Sequence, residues 1–214
     1  MKKKIFALFF LIIILFSCRS KIDNKIIQDI NDTLSYGHYI EIPDEINELN
    51  KKYTNKVLIV NYKHLIKTTY NKLNKENNDE ILSYHLLFSR IGFFCSKKDL
   101  RFIKRYYVKK NNGDLFLAFL YCKINYNYDK NFNVLINYLT KKPANDNNLW
   151  AANLLGLLGD KKAIKFLEIA DGLIWGKFGH ESDVARLSIS LIKYLNGEFK
   201  SINDIWTDVY GEGF

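Results

Sequence analysis

The sequence has few of the residues that break regular structure, with 2 Pro and 11 Gly among 214 residues. Disordered and mucin-like chains are rich in proline and poor in apolar side chains, and collagen needs glycine at every third position. Here 48% of the residues are hydrophobic, so those classes are excluded. A chain of this length and apolar content forms one compact domain or a short array of repeats around a buried core.

Recognisable catalytic motifs are also missing. The sequence has no His-Glu-x-x-His zinc motif, no Gly-x-Ser-x-Gly nucleophile turn and no glycine-rich phosphate loop. Only four histidines occur, and two of them, His64 and His85, lie among apolar residues at helical spacing, which favours a structural role. We therefore predict that the chain is not an enzyme and that it needs no cofactor, no metal and no small-molecule substrate.

The first 17 residues are organised as a secretory signal. Three lysines precede an uncharged run from Ile5 to Phe16, shorter than the roughly 20 residues that span a bilayer. The run ends in Leu15-Phe16-Ser17-Cys18, which resembles the lipobox of bacterial lipoproteins. The resemblance implies cleavage before Cys18, acylation of its sulfur and a mature protein anchored in the cell envelope, on the periplasmic side or at the cell surface. The alternatives are an uncleaved N-terminal anchor and an ordinary signal cut nearby.

Loss of residues 1–17 removes three lysines and no acid, so 29 basic and 23 acidic residues leave a net charge of +6. A basic surface attracts anionic headgroups, acidic proteins or nucleic acid. Export argues against nucleic acid, and the five arginines form no nucleic-acid recognition motif. The expected partners are the lipid bilayer, reached through acylated Cys18, and a protein with an acidic surface.

Beyond residue 78 the apolar pattern recurs about every 34 residues, and each long apolar helix pattern is followed by a shorter one. The repeating unit is therefore a pair of helices, which cannot bury its apolar faces without neighbours. Ser96 with Asp99, and Ser201 with Asp204, have the spacing of helix capping boxes. Gly159-Asp160 is predicted to end one helix and cap the next.

These patterns predict an all-α fold, an α-solenoid of about four stacked helical hairpins over residues 78–214. The preceding segments are a signal peptide at 1–17, a lipidated N-terminus and tether with a turn or two of helix at 18–42, and capping helices at 43–77. The alternative is an irregular all-α bundle whose self-similarity is accidental.

One unit of the array, residues 149–170, carries a more specific pattern. Its markers are Ala151-Ala152, Gly156, Gly159-Asp160, Ala163 and Leu167. The unit is similar to the HEAT-like repeats of the phycobilin-lyase (PBS-lyase) type. The resemblance implies closely packed helices, since alanine allows close approach, and no pigment chemistry, because the export signal argues against that function.

A single His-Glu pair, His180-Glu181, resembles the iron-binding pairs of deoxyhypusine hydroxylase, a HEAT-like enzyme. The corresponding helix starts in the other repeats lack such a pair. One pair cannot assemble the site, because iron needs several convergent imidazole and carboxylate ligands.

Two regions are candidates for partner binding. The first is the link 171–183, which contains three glycines together with Trp175, Phe178 and His180. Tryptophan on an adaptable loop is a favoured interface residue. The alternative is that the apolar side chains of this link cap the adjacent hydrophobic layer.

The second region is the basic content of the shorter helices. In a solenoid, equivalent helices line one face, so their charges would stack into one positive ridge. The alternative is a solvated face in a lysine-rich chain. The residues singled out are Arg101, Lys104, Arg105, Lys161 and Lys165.

Cys95 and Cys122 lie in a compartment that permits disulfides. The 34-residue alignment places Cys122 opposite Phe88, seven residues and about 10 Å of helix rise from Cys95. Because disulfide Cα atoms lie within about 7 Å of each other, we expect two buried free thiols.

The functional hypothesis is a membrane-anchored, non-enzymatic scaffold of helical repeats that binds a protein. A sharper form is an immunity protein that neutralises an exported toxin, since a small tethered protein with a rigid helical surface suits that role. The alternative is an envelope structural or maintenance lipoprotein without a dedicated partner.

Overall fold

The structure is a computed structural model and describes residues 22–34, 39–72, 78–110, 120–125, 127–178 and 183–212. All regular elements within these ranges are helical and no strand occurs there, which confirms the all-α prediction. Cys18 and the predicted signal peptide lie outside the described residues. Within the same ranges, no helix is both long enough and apolar enough to cross a lipid bilayer.

The first half has two short helices, then two long ones and a third short one. Short 3-10 turns at Tyr39–Glu41 and Lys97–Asp99 lead into α2 and α5, respectively. The helices are α1 (Asn24–Thr33), α2 (Ile42–Lys52), α3 (Asn55–Lys72), α4 (Asn78–Phe94) and α5 (Leu100–Lys110).

In the second half, a helical segment at 120–124 precedes five further helices, and a 3-10 turn at Lys161–Ala163 leads into α8. The stretches that the repeat pattern predicts to be helical contain α4, α5, the segment 120–124 and α6 to α10. The labelled helices are α6 (Tyr128–Leu139), α7 (Asp146–Leu158), α8 (Ile164–Phe178), α9 (Val184–Leu195) and α10 (Ile202–Tyr210).

The helix boundaries lie at the capping residues that the sequence predicts. Both predicted capping boxes, Ser96 with Asp99 and Ser201 with Asp204, are formed. Gly159 ends α7 with φ of +66°, a left-handed conformation that glycine adopts without steric cost. The Asp160 carboxylate then accepts a hydrogen bond from the Lys162 N–H at 2.9 Å, as predicted for the cap of the next helix.

The C-terminal helices pack by close contact of small side chains. α7 lies against α9, while α6 lies against α8, so these two helices each meet their counterpart in the next pair. A Cβ atom on Gly156 would be 2.9 Å from the Ser188 Cα, so only glycine fits this α7–α9 contact. The surrounding core is made mainly of leucine and alanine, including Ala151, Ala152 and Leu155.

The N-terminal helices bury larger and more polar groups. α3 packs along α4, and α1 lies on α2 and α3. Tyr62 and Phe88 are fully buried. The Arg90 guanidinium, 2% exposed as a residue, donates to both oxygens of Glu45 at 2.6 and 2.9 Å. This forked pair satisfies a charge that would be costly to bury alone.

The segment 24–33 is more ordered than the turn or two of helix expected in a tether. It forms all of α1, with Ile26 and Ile30 buried in a core to which Leu187 and Leu191 of α9 also belong. The Asp23 N–H donates to Asn61 Oδ1 of α3 at 3.0 Å, which attaches the start of α1 to the body of the protein. The folded body therefore begins five residues after Cys18.

Hydrogen bonds connect residues 39 and 44 to α9. The Tyr39 hydroxyl lies 3.1 Å from the Val184 carbonyl oxygen and 2.8 Å from Ser188 Oγ. The Tyr194 hydroxyl donates to Asp44 at 3.0 Å. The end of the predicted tether and the start of the predicted capping helices are therefore held by α9, about 150 residues later in the sequence.

The prediction of two free thiols is wrong, because Cys95 and Cys122 form a disulfide with their Cα atoms 5.4 Å apart. The 34-residue alignment implied the wrong offset between α4 and the helical segment at 120–124. Asn125 Nδ2 donates to the carbonyl oxygens of Gly92 and Cys95 at 3.0 and 3.1 Å, so residues 122–125 lie beside the end of α4.

Candidate functional site

The structure separates the predicted basic residues into two groups. Arg101, Lys104 and Arg105 all lie exposed on α5. Lys161 and Lys165 are exposed at the start of α8, where Lys161 pairs with Glu198 at 2.6 Å. The Lys165 ammonium lies 4.8 Å from the centre of the Phe166 ring. The first group is therefore the stronger candidate, because the second already has partners within the protein.

The exposed cations of α5 extend into the turn before it. Their spacing of three and four residues places them along one helical face. In the part of the chain that the structure describes, none of them is within ion-pair distance of a carboxylate. We call this set the α5 basic face, and it comprises Lys98, Arg101, Lys104 and Arg105.

A cleft of about 470 Å³ opens beside this face, between α3 and α5. Its volume lies within the range of small-ligand sites. The lining combines two cations, three aromatic rings and one amide, without a carboxylate. We call it the α3–α5 cleft, lined by Lys67, Tyr70, Asn71, Phe102, Arg105 and Tyr106.

The three rings of the cleft are in mutual contact. Tyr70 meets Tyr106 edge to face, with ring centres 5.0 Å apart and planes at 84°. Phe102 contacts Tyr106 at 4.7 Å. Tyr106 is buried, whereas Tyr70 and Phe102 are half-buried and so leave ring surface exposed to the cleft. Burial is the main cause that raises the pKa of Tyr106 above its usual value, so this ring is neutral at physiological pH.

The Asp99 carboxylate, just before α5, already has partners within the protein. Asp99 is ion-paired with Lys63 and accepts hydrogen bonds from the Ser96 N–H and hydroxyl at 2.7 Å. Burial opposes ionisation of Asp99, but these hydrogen bonds outweigh it and hold the pKa of the carboxyl below its usual value. Lys63 also lies 5.5 Å from the centre of the Phe102 ring. Asp99 therefore positions Lys63 and Phe102 and leaves the cations of the cleft uncompensated.

The prediction that residues 171–183 form a link between helices is wrong for 171–178, whereas their role in partner binding stays a prediction. Residues Asp171–Phe178 continue α8, and Ile174 is fully buried in the C-terminal core. Trp175 and Phe178 therefore belong to a helix rather than to an adaptable loop. Their side chains, and all of His180, lie outside the described residues. Burial in the core explains why position 174 of this stretch is an apolar isoleucine.

A second cleft, on α2, has a different character. It is lined by Asp44, Asn47, Glu48, Asn50 and Lys51. Asp44 accepts a hydrogen bond from Tyr194, and Glu48 is paired with Lys51 at 2.5 Å. Its charged groups therefore stabilise the fold or one another. Within the described ranges, no group of three or more His, Cys, Asp or Glu side chains is placed to hold a metal ion.

The contribution of α3 to the cleft is absent from the sequence-based predictions. The helical spacing of Tyr62, Ile66 and Tyr70 indicates a buried stripe on α3 but does not point to the polar residues beside it. Lys63 and Lys67 are four residues apart on the next strip of the same helix, so the spacing did contain a signal.

No protein-family model, no curated protein and no solved structure matches the chain significantly.

Proposed function

We propose that this chain is a lipid-anchored, non-enzymatic scaffold of helical repeats in the bacterial envelope, and that it binds a protein with an acidic surface. The observation that carries the proposal is the α5 basic face, a row of exposed cations without ion-pair partners in the described chain. Like charges three or four residues apart destabilise a helix by a few tenths of a kcal/mol per pair. A partner rich in carboxylates would remove this repulsion on binding.

The packing supports the proposal of a short solenoid. α7 contacts α9 and α6 contacts α8, which is the pattern of stacked hairpins. α5 occupies the second position of its own pair, as α6, α8 and α10 do in theirs. In a solenoid, exposed residues on such helices lie on one side of the array, which suits the binding of another protein.

The lipid anchor at Cys18 is supported by the sequence before it and by the fold after it. The N-terminal body starts at Asp23, whose N–H is held by Asn61. Five residues span at most about 17 Å when fully extended. An acylated Cys18 would therefore hold the scaffold close to the bilayer rather than at the end of a long linker.

The anchor is tested by replacing Cys18 with serine and separating membranes from soluble protein. We expect Cys18→Ser to release the protein from membranes, because acyl chains supply most of the binding free energy. Continued membrane association of the variant would contradict the lipoprotein assignment.

The binding role is tested by charge reversal on the α5 basic face. Cells expressing Arg101→Glu with Lys104→Glu are treated with a crosslinker, and complexes of the protein are compared with those of the unaltered chain. The matched control is Lys141→Glu with Lys142→Glu, two exposed lysines outside α5. We expect the complexes to be lost in the α5 variant and kept in the control. Complexes that are identical in both variants would contradict the proposal.

A further inference from the structure

Two chemical properties of the α3–α5 cleft indicate which kind of ligand would bind there. Its floor is aromatic, with ring surface of Tyr70 and Phe102 exposed above the buried Tyr106. Its rim carries Lys67 and Arg105, for which the described part of the chain offers no carboxylate partner. The ligand must therefore offer a flat apolar group and negative charge within a few ångströms of each other.

We propose that the α3–α5 cleft binds an aromatic side chain of an acidic peptide segment, whose carboxylates pair with Arg105 and Lys67. This inference rests on the proposed function, because the segment belongs to the protein that the α5 basic face attracts.

The aromatic part follows from the arrangement of the rings. Tyr70 and Tyr106 meet edge to face, and Phe102 is tilted against Tyr106, so a further ring entering the cleft finds both ring edges and ring faces. Aromatic pairs of this kind increase affinity about two- to tenfold beyond the effect of buried area. An aliphatic side chain would lose this contribution and the contact with the rim cations.

The acidic part follows from the donors at the rim. A guanidinium offers forked N–H groups that match both oxygens of a carboxylate, and Arg105 lies at the edge of the cleft. Arg101 is exposed one turn earlier on the same helix, so positive charge continues along α5. A segment with carboxylates on either side of its ring therefore finds a cation at each end.

A peptide fits this cleft better than a lipid surface does. An anionic headgroup supplies the negative charge but has no ring to cover Tyr70 and Phe102. The cleft also lies near the C-terminal end of α3. Asn61, which holds the start of the folded body, is nine residues before Tyr70 on the same helix. The rings therefore lie about 13 Å further along α3 than the point where the anchor segment joins it.

The test uses the full chain with Cys18→Ser and a blocked pentapeptide with Trp at its centre and two Glu on each side. Binding is measured by fluorescence anisotropy at low salt. Two reference peptides replace either Trp by Ala or all Glu by Gln. We expect each reference peptide to bind at least fivefold more weakly, because each lacks one of the two recognised features.

Variants of the protein locate the binding. Arg105→Gln is expected to weaken the acidic peptide about tenfold, and Tyr70→Leu severalfold, whereas Lys162→Gln, an exposed lysine before α8, leaves it unchanged. Arg105 is exposed, so its variant should keep the circular dichroism spectrum of the parent. Equal binding of the Gln-containing peptide, or no effect of Arg105→Gln, overturns the inference.

The final arm titrates phosphatidylglycerol vesicles. Binding of vesicles that depends on Arg105, without binding of the peptide, overturns the inference in favour of a lipid headgroup. If the peptide does not bind, but the Arg101→Glu, Lys104→Glu variant still loses its crosslinked complexes, this inference alone is overturned. Failure of both experiments also removes the proposed function.

Discussion

The two halves of the described chain bury different side chains. In the C-terminal half, α7 and α9 approach so closely that a Cβ on Gly156 has no room, and alanines fill much of the core. In the N-terminal half, Tyr62, Phe88 and the Arg90–Glu45 pair lie between the helices. The repeat pattern is clearest where small residues let helices pack at a constant distance. The candidate binding surface lies in the other half, where large rings and charges make each contact different.

The largest effect is expected from breaking the buried ion pair. Arg90→Met should lower the free energy of unfolding by about 3–5 kcal/mol, because it leaves the Glu45 carboxylate with little solvent and no cation. Urea denaturation followed by circular dichroism measures the change. The control is Lys161→Met, which removes an exposed pair with Glu198 and should cost at most about 1 kcal/mol. Equal effects of the two variants would show that Arg90 is not buried as described.

The disulfide tests how the two halves are joined. It links Cys95 after α4 to Cys122, 27 residues later, so it restricts a long loop in the unfolded chain. The variant with both cysteines replaced by serine should lose about 3–4 kcal/mol of stability. Mass spectrometry of the peptide pair, with and without reductant, checks the bond directly. Free thiols in protein purified under oxidising conditions would contradict the pairing and restore the expectation from the repeat alignment.

The close contact of the C-terminal half is tested by a matched pair of glycine substitutions. Gly156→Ala places a methyl group 2.9 Å from Ser188 and should cost about 1–3 kcal/mol. Gly172→Ala, on α8, meets nothing within 4 Å and should stabilise the protein by about 0.5–1 kcal/mol through helix propensity. Thermal denaturation of the two variants gives the comparison. A stabilising Gly156→Ala would show that α7 and α9 do not touch at this point.

The smallest effect concerns pH and the N-terminal half. The pKa of Asp99 is lowered in the folded protein, so its contribution to stability is complete above the unfolded pKa of about 4. This contribution is lost as the pH falls through the folded value. Asp99→Asn should therefore cost about 1 kcal/mol at pH 7, where the capping box is weakened. It should also flatten the pH dependence of stability below pH 4, measured by urea denaturation at a series of pH values. An unchanged pH profile would contradict the role of Asp99.

Local sequence signals predicted the helices well and their relative offsets poorly. The capping boxes at Ser96 and Ser201 and the left-handed Gly159 were found because each depends on residues within one turn of helix. The Cys95–Cys122 pairing was missed because it depends on how far one helix slides along another. Periodicity fixes which face of a helix is buried, but it contains no information on that displacement.

The candidate site was predicted in part for the same reason. Arg101 and Arg105 were identified because they share a face of one helix. Tyr70 and Lys67 were missed because they join the site only when α3 and α5 pack side by side. The stretch 171–178 was predicted to be part of a glycine-containing link, but α8 continues through Gly172 and Gly176.

The hydrogen bonds from Tyr39 to α9, and from Tyr194 to Asp44, change how the molecule resists unfolding. An open array of repeats loses its terminal units first, since each unit touches only its neighbours. Here residues 39 and 44 are tied to α9, so these two parts of the chain resist separation together. We therefore expect a single cooperative transition and slower folding than in an open array of equal length, because contacts between residues about 150 positions apart must form before the last helices are secured.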